Sequence, residues 1–251
     1  TVLPVVSDRV IYGIQAVRQA LKQQAGQVVE VYLLQNIGRE RLERLADELR
    51  IMPINLKHCS AERLAALTGT DKHQGVAARI VQPAAMGERE AREYVTGLVQ
   101  PLILILDSVQ DPRNFGSCLR TAEAAGVALV VTARNRSVNL TPVVSKVASG
   151  AAELQAQARV GNLARFIDFL RDQGIWIVGT DAAAEHSLFD LDATGATALV
   201  MGGEGRGLRR LTREQCDQLI RLPMRGAVDS LNLSVAAGVC LYECLRQRGA
   251  T

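Results

Sequence analysis

From residue 102 onward, short apolar runs alternate with segments that have the spacing of amphipathic helices. The clearest run is LILILD at 102–107, in which five consecutive residues are aliphatic. Further strand candidates are 128–133, 175–181, 198–203 and 219–224, and helices are expected at 115–125, 141–152, 162–173, 207–217 and about 231–247. Near-continuous apolar strands alternating with helices are typical of a parallel sheet covered on both faces. The sequence therefore predicts an α/β domain over 101–251.

A smaller α/β unit precedes this domain, over residues 1–81. Helix patterns at 12–24, 39–50 and 60–69 alternate with strand patterns at 28–35, 52–57 and 75–81. The next stretch, 82–100, has a charged middle and a proline near each end. It is expected to be a linker with a helical portion that joins two domains.

Composition narrows the function classes without selecting one. A net charge of +3 over 251 residues is weak support for a nucleic-acid ligand. Arginine far outnumbers lysine, which suits bidentate phosphate contacts, although a GC-rich genome gives the same bias. The five cysteines form no CxxC pair and no Cys/His spacing resembles a zinc site, so no metal is expected. Without a signal-peptide pattern or an apolar run of about 20 residues, a cytoplasmic protein with no membrane contact is expected.

The first candidate motif follows the strand at 102–107 and reads DPRNFGSCLR. Gly116 is expected to allow a tight turn into the helix. The unpaired N–H groups at the start of a helix suit an anion, and Arg120 lies one turn later, within reach of the same place. An ordinary strand–helix turn with a solvated arginine accounts for the same pattern equally well.

The second motif, MGGEGRGLRRL at 201–211, has four glycines within six residues directly after a buried strand. Such a density indicates close approach of the backbone to another group. The motif lacks the Lys-Ser/Thr ending of a P-loop, and Glu204 at its centre would repel phosphate. A neutral or cationic ligand therefore fits better than ATP. Alternatively, Glu204 is a carboxylate that stabilises the N-terminus of a helix.

The third motif, LPMRGAVDSLNLSVAAG at 222–238, joins the last strand to the last helix. Asp229 or Ser230 could be the helix N-cap. Asn232 is a mediocre helix former inside an apolar first turn, so its amide is expected to hold a backbone or ligand group. The small residues that follow allow the helix to pack closely against another segment.

Taken together and in this order, NFGSCLR, MGGEGRGL and LPMRGAVDSLNLSVAAG resemble the three motifs of the SpoU class of knotted RNA 2'-O-ribose methyltransferases. The front unit, with IYGIQAV and HQGVAARI, resembles the L30e-like substrate-binding domain of the members that methylate guanosine in bacterial 23S rRNA. The resemblance covers the whole chain. It implies a parallel sheet with a deep trefoil knot, preceded by an L30e-like α/β domain.

The resemblance also implies a cofactor, a substrate and partners. The cofactor is S-adenosylmethionine, held by backbone groups at Gly202, Leu222, Met224 and Leu231. The reaction is methyl transfer to the ribose 2'-hydroxyl of a guanosine in 23S rRNA, and it needs no metal because the sulfonium already activates the methyl group. The family is homodimeric through the knotted domain.

Five side chains match catalytic positions of the family: Asn114, Arg120, Glu204, Ser230 and Asn232. A guanidinium donates hydrogen bonds and accepts none, so Arg120 is a poor general base. It is expected to hold an RNA phosphate and to stabilise the 2'-oxygen as negative charge develops. Asn114 and Glu204 would position Arg120 or the ribose, while Ser230 and Asn232 would fix the cofactor loop and the hydroxyl.

Two positions depart from the pattern of close relatives, Gln15 in the first helix and Arg206 in the glycine loop, and both bear on RNA contacts. His73 and Gln74 could contact RNA, but a polar turn is the commoner role of such residues. One alternative function is a tRNA ribose methyltransferase, although known tRNA members carry short basic extensions instead of an α/β front domain. The others are a non-catalytic RNA-binding knot protein and a nucleotide-dependent dehydrogenase, which would need a GxGxxG motif that the sequence lacks.

Overall fold

The computed structural model describes residues 6–23, 28–35, 40–83, 85–203, 205 and 207–249. The chain forms two compact units that divide between residues 84 and 85. Within the described ranges, no helix is both long and apolar enough to cross a membrane. No group of three or more His, Cys, Asp or Glu side chains in these ranges is arranged to hold a metal ion.

The front unit is a four-stranded sheet with three helices. In chain order its elements are β1 (Val6–Tyr12), α1 (Ile14–Gln23), β2 (Val28–Leu34), α2 (Glu40–Arg50), β3 (Asn55–Cys59), α3 (Ala61–Thr68) and β4 (Val76–Pro83). The strand order is β1-β4-β2-β3, with β4 antiparallel to both neighbours and β2 parallel to β3. Val31 and Leu33 of β2 are buried under α1 and α2. All three helices of this unit were predicted from the sequence, whereas β1 was missed.

The second unit is a seven-stranded sheet with helices on both faces. Its elements are α4 (Glu88–Thr96), β5 (Leu102–Asp107), α5 (Pro112–Ala124), β6 (Leu129–Ala133), α6 (Pro142–Ala148), α7 (Ala151–Leu154), β7 (Gln157–Val160), α8 (Leu163–Asp172), β8 (Trp176–Thr180), β9 (His186–Ser187), a 3-10 turn (Leu188–Asp190), β10 (Thr197–Gly202), α9 (Arg210–Glu214), β11 (Gln218–Arg221) and α10 (Leu233–Gln247). The strand order is β7-β6-β5-β10-β8-β11-β9, and every paired neighbour is parallel.

The burial of the central strand β5 explains why this sheet could be predicted from the sequence. All six residues of β5 are buried, because alternate side chains enter two different cores. One core lies under α5, α6, α7 and α10, and the other under α4 and α8. The expected parallel sheet covered on both faces is thus confirmed. Because these strands are parallel, the loops that follow β5, β6, β10 and β11 all lie at the carboxyl edge of the sheet.

Several boundaries differ from the sequence prediction. The short strands β7 and β9 were missed, and the helix expected at 141–152 is divided at Ser149, which has a φ of 52°. Helix α9 is shorter than the 207–217 expected. The segment 82–100 contains α4, whose Ala91 and Val95 are buried in the core of the second unit.

Candidate active site

Helix α5 begins three residues earlier than the sequence suggested. Asp111 is its N-cap and accepts a hydrogen bond from the Arg113 N–H at 2.8 Å, while Pro112 occupies the first helical position. Gly116 therefore lies inside the helix, and the expectation that it forms the turn is wrong. A Cβ at Gly116 would lie 2.7 Å from the carbonyl oxygen of Val144, so this glycine allows α6 to pack closely against α5.

The early helix start places Asn114 in the first turn of α5, where its side chain is buried. Its Oδ1 accepts a hydrogen bond from Asn232 Nδ2 at 3.0 Å. Asn232 is the N-cap of α10, with its Oδ1 accepting the N–H of Ser234 at 2.9 Å. The cap is therefore Asn232, whereas Asp229 and Ser230 are exposed in the preceding loop. The structure thus brings the first and third motifs into direct contact.

Arg120 lies about 9 Å along the axis of α5 from Asn114, given a rise of about 1.5 Å per residue. Its side chain is exposed. With the residues that the structure describes, the Arg120 side chain forms no hydrogen bond or ion pair. Its guanidinium is therefore available to a ligand.

The glycine motif folds back on itself at the end of β10. Gly207 donates its N–H to the carbonyl of Gly203 at 3.2 Å, and these two residues form an isolated antiparallel bridge. A Cβ at Gly202 would lie 2.1 Å from the carbonyl carbon of Gly207, so a side chain cannot be placed there. Glu204 and Arg206 lie outside the described residues, and the role of Glu204 stays a prediction.

A buried carboxylate fixes this loop to the neighbouring strand. Asp107, the last residue of β5, accepts the Arg209 Nε–H at 2.6 Å and the Arg209 backbone N–H at 3.2 Å. The Asp107 side chain has no solvent exposure, and Ser108 Oγ donates to it at 3.1 Å. This pair was not predicted from the sequence, although an acid that ends a buried strand shortly before a motif was a usable signal.

The residues assigned to cofactor binding lie in two neighbouring stretches of the sequence. Gly202 ends β10, whereas Leu222, Met224 and Leu231 belong to the irregular segment between β11 and α10. Within the described chain, the backbone groups of residues 223–231 make no hydrogen bond. Free backbone donors and acceptors beside partly exposed apolar side chains suit the adenosine and amino-acid groups of S-adenosylmethionine, so these residues fit that cofactor.

Buried thiols do not contribute a nucleophile. Burial raises the pKa of Cys118 and Cys240 to about 12 and that of Cys244 to about 11. A thiol is nucleophilic as its thiolate, so these side chains are inert near neutral pH. These three cysteines are small residues of the core under α5 and α10.

The polar turn of the front unit has a structural role. His73 is buried, and its Nδ1 accepts the N–H of Gly75 at 3.1 Å. Gln74, at a φ of 57°, accepts the N–H of Ile14 on its Oε1 at 3.0 Å and so caps the start of α1. These contacts account for both side chains without RNA.

Comparisons with known proteins agree with this geometry. The profile described as the SpoU rRNA methylase family matches residues 101–242, more than half of the chain. The chain belongs to the SpoU rRNA methylase family. A second profile, RNA 2'-O ribose methyltransferase substrate binding, matches residues 10–86 of this SpoU protein.

Relatives extend over nearly the whole SpoU chain. It is 45% identical to the 23S rRNA (guanosine-2'-O-)-methyltransferase RlmB of Vibrio vulnificus, over 98% of this chain and 99% of that one. It is 46% identical to the protein of the same name from Haemophilus ducreyi, over 95% and 97% of the two chains. The SpoU methyltransferase AviRb of Streptomyces viridochromogenes, solved with AdoMet, superposes with a TM-score of 0.74 at 24% identity, over 97% and 92% of the chains. This neighbour confirms the expected SpoU fold class.

Proposed function

We propose that this protein transfers a methyl group from S-adenosylmethionine to the ribose 2'-hydroxyl of a guanosine in 23S rRNA. The observation that carries this proposal is the 45% identity, over almost the full length of both chains, to an enzyme named for that reaction. The site supports it, because the motif that carries Arg120 and the motif that precedes α10 meet through Asn114 and Asn232.

The cofactor supplies, when bound, a methyl group that a sulfonium has already made electrophilic. The backbone of Gly202 and of the segment around Leu222, Met224 and Leu231 would hold it. The remaining task of the chain is to bring the 2'-hydroxyl into line and to exclude unproductive orientations. Orientation alone contributes up to about 7–11 kcal/mol to the rate of well-aligned reactions.

Arg120 has the role of an electrostatic group in this reaction. Its guanidinium donates up to five hydrogen bonds and accepts none. It binds a phosphate of the RNA and stabilises the 2'-oxygen as that atom gains negative charge. Its exposure and its lack of a partner among the described residues support this role.

The asparagine pair positions this arginine. The bond from Asn232 to Asn114 ties the first turn of α5 to the start of α10, so the helix that carries Arg120 cannot shift relative to the cofactor segment. Ser230 is exposed two residues before Asn232, where its hydroxyl can hold the ribose or the cofactor loop. Glu204 completes this set as a residue that orients Arg120 or the ribose.

RNA selection belongs to the front unit. A groove of about 930 Å³ lies between α1 and α2, and Gln15, Arg18, Lys22 and Arg44 are among the residues that line it. Glu48 pairs with Arg18 there at 2.8 Å, so the groove keeps a positive balance that suits RNA phosphates. The departure at Gln15 lies in this groove and would affect RNA contacts rather than the methyl transfer.

The protein acts as a homodimer through its second unit, in the cytoplasm where rRNA is modified. Helix α10 carries an apolar stripe at Val235, Val239 and Tyr242, whose exposed fractions are 52%, 39% and 51%. Leu231 extends this stripe into the cofactor segment with 39% exposure. Exposed apolar residues at helical spacing are typical of a surface that a partner covers.

The test is methyl transfer from labelled S-adenosylmethionine, with 23S rRNA and bulk tRNA from a strain that lacks this activity assayed separately. The proposal predicts label in 23S rRNA, mapped to one guanosine ribose. Label in tRNA alone would show that the substrate is tRNA and not 23S rRNA. If neither RNA is labelled although the protein binds the cofactor, the alternative of a non-catalytic RNA-binding protein would be supported.

A further inference from the structure

Three exposed arginines surround the carboxyl ends of β5 and β6. Arg134 and Arg136 belong to the loop that follows β6, and Arg113 is in the first turn of α5. Over the described ranges, none of the three forms an ion pair or donates a side-chain hydrogen bond. The Asp111 carboxylate, close to Arg113 in sequence, is used to cap the Arg113 backbone N–H. Three guanidiniums are thus available at one edge of the sheet.

The loop that carries Arg134 and Arg136 is held in place by hydrogen bonds to the neighbouring strand β7. Arg134 donates its backbone N–H to the carbonyl of Val160 at 2.9 Å. Arg159 Nη2 donates to the carbonyls of Arg134, at 2.5 Å, and Ser137, at 3.3 Å. The Arg159 side chain therefore donates to the backbone of the loop, while the side chains of Arg134 and Arg136 donate no hydrogen bond to the described residues. Such a loop presents its charges with little ordering cost.

The same loop is joined to the first motif. Val138 donates its N–H to the carbonyl of Val109 at 2.9 Å, directly before the start of α5. The loop after β6 and the helix that carries Arg120 are therefore fixed to each other. Arg113 is on that same helix, seven residues before Arg120, or about 10 Å along the helix axis.

We propose that Arg113, Arg134 and Arg136, named here the arginine edge, bind phosphates of the RNA backbone that flanks the methylated nucleotide. This inference rests on the proposed function, because it assumes an RNA substrate at Arg120. Arginine forks match the paired oxygens of a phosphate, and unpaired guanidiniums on a fixed loop favour a polyanion over an apolar protein surface. The arginine edge holds the backbone irrespective of sequence, and base selection lies elsewhere.

The test uses the full chain with Arg134→Gln and Arg136→Gln combined. The matched control is Arg89→Gln combined with Arg165→Gln, which removes two exposed positive charges from α4 and α8 of the same unit. Affinity for deproteinised 23S rRNA is measured from 50 to 200 mM salt, together with the steady-state constants for methyl transfer. Binding of S-adenosylmethionine to each variant reports that the cofactor site is intact.

The arginine-edge variant is expected to bind RNA about tenfold more weakly at 100 mM salt and to lower the slope of log Kd against log salt by about 1–2, whereas the control changes neither. Its KM for RNA rises, while kcat at saturating RNA and the Kd for the cofactor stay the same. If the arginine-edge variant binds RNA as the control does, and the wild-type protein methylates 23S rRNA, the RNA-binding role of the arginine edge is wrong and the proposed function stands. Wild-type protein that methylates no RNA overturns the proposed function, and RNA affinities still decide whether the edge binds phosphate.

Discussion

Asn232 donates a hydrogen bond to the buried Asn114 across 3.0 Å and 118 positions of sequence, while its own oxygen caps α10. One side chain thus performs two tasks, since the same amide begins the last helix and holds the helix of Arg120. This contact converts two separate sequence motifs into one site.

Asn232→Ala removes the cap and one partner of the Asn114 amide. Loss of a cap costs about 1 kcal/mol and loss of a buried hydrogen bond about 1–3 kcal/mol. We expect the free energy of unfolding in urea to fall by about 2 kcal/mol and methyl transfer to fall at least tenfold. The matched control is Asn162→Ala, which removes the N-cap of α8, where Asn162 accepts the Arg165 N–H at 3.1 Å. Equal activity in both variants would contradict the positioning role of Asn232.

Asp107→Asn tests the link between β5 and the glycine loop. The change leaves the Arg209 guanidinium, whose side chain is 37% exposed, beside a neutral amide at the buried end of β5, which costs about 1–3 kcal/mol. Since Arg209 belongs to the glycine motif, we expect KM for S-adenosylmethionine to rise more than kcat falls. Asp168→Asn, which breaks an exposed pair with Arg171, is the control. A KM for the cofactor that matches the control would show that the loop holds its shape without Asp107.

Gly116→Ala tests the packing of α5 against α6. The added Cβ meets a backbone oxygen at 2.7 Å, which cannot rotate away, so we expect a net loss of about 1–2 kcal/mol in unfolding free energy despite the better helix propensity of alanine. Gly238→Ala in α10 is the control, because its Cβ would meet Thr121 Cγ2 at an ordinary 3.6 Å. Thermal unfolding of both variants decides the point, and equal stability would refute the close approach.

Acid stability of the front unit is expected to depend on Glu30. Hydrogen bonds from Lys57, at 2.6 Å, and Tyr32, at 2.5 Å, lower the pKa of Glu30 from 4.5 to about 2. A carboxyl whose pKa is lower in the folded state stabilises the protein above pH 4.5, and this contribution is lost as the pH falls towards 2. Urea unfolding of Glu30→Gln between pH 7 and about 3 should show a shallower acid dependence than wild type. Glu48→Gln, at an exposed ion pair, should follow the wild-type curve.

Sequence reasoning succeeded where local rules decide the structure. The bounds of β5 were predicted to the residue, because a strand buried on both faces has an uninterrupted apolar pattern. The start of α5 was misplaced although Asp111 and Pro112 are standard N-terminal residues, since the glycine was taken as the turn. The break at Ser149 depends on a positive φ, which a serine in the sequence does not predict.

Contacts between distant segments were the part that the sequence could not give. Asp107 and Arg209 are 102 positions apart, and neither residue type reveals its partner. The motifs named Asn114 and Asn232 as site residues, but only the fold shows that one donates to the other. The fold likewise shows that the loop of Arg134 and Arg136 is joined to the segment before α5, by the hydrogen bond between Val138 and Val109.

The electrostatic role of Arg120 is tested by single-turnover methyl transfer to 23S rRNA by wild type and Arg120→Ala, at saturating RNA and S-adenosylmethionine. Arg89→Ala, at an exposed arginine paired with Glu93 on α4, is the control. We expect Arg120→Ala to lose at least a hundredfold in rate while it still binds the cofactor, and the control to keep the wild-type rate. A rate for Arg120→Ala within a fewfold of wild type, with the same guanosine labelled, would contradict the electrostatic role of Arg120 in methyl transfer.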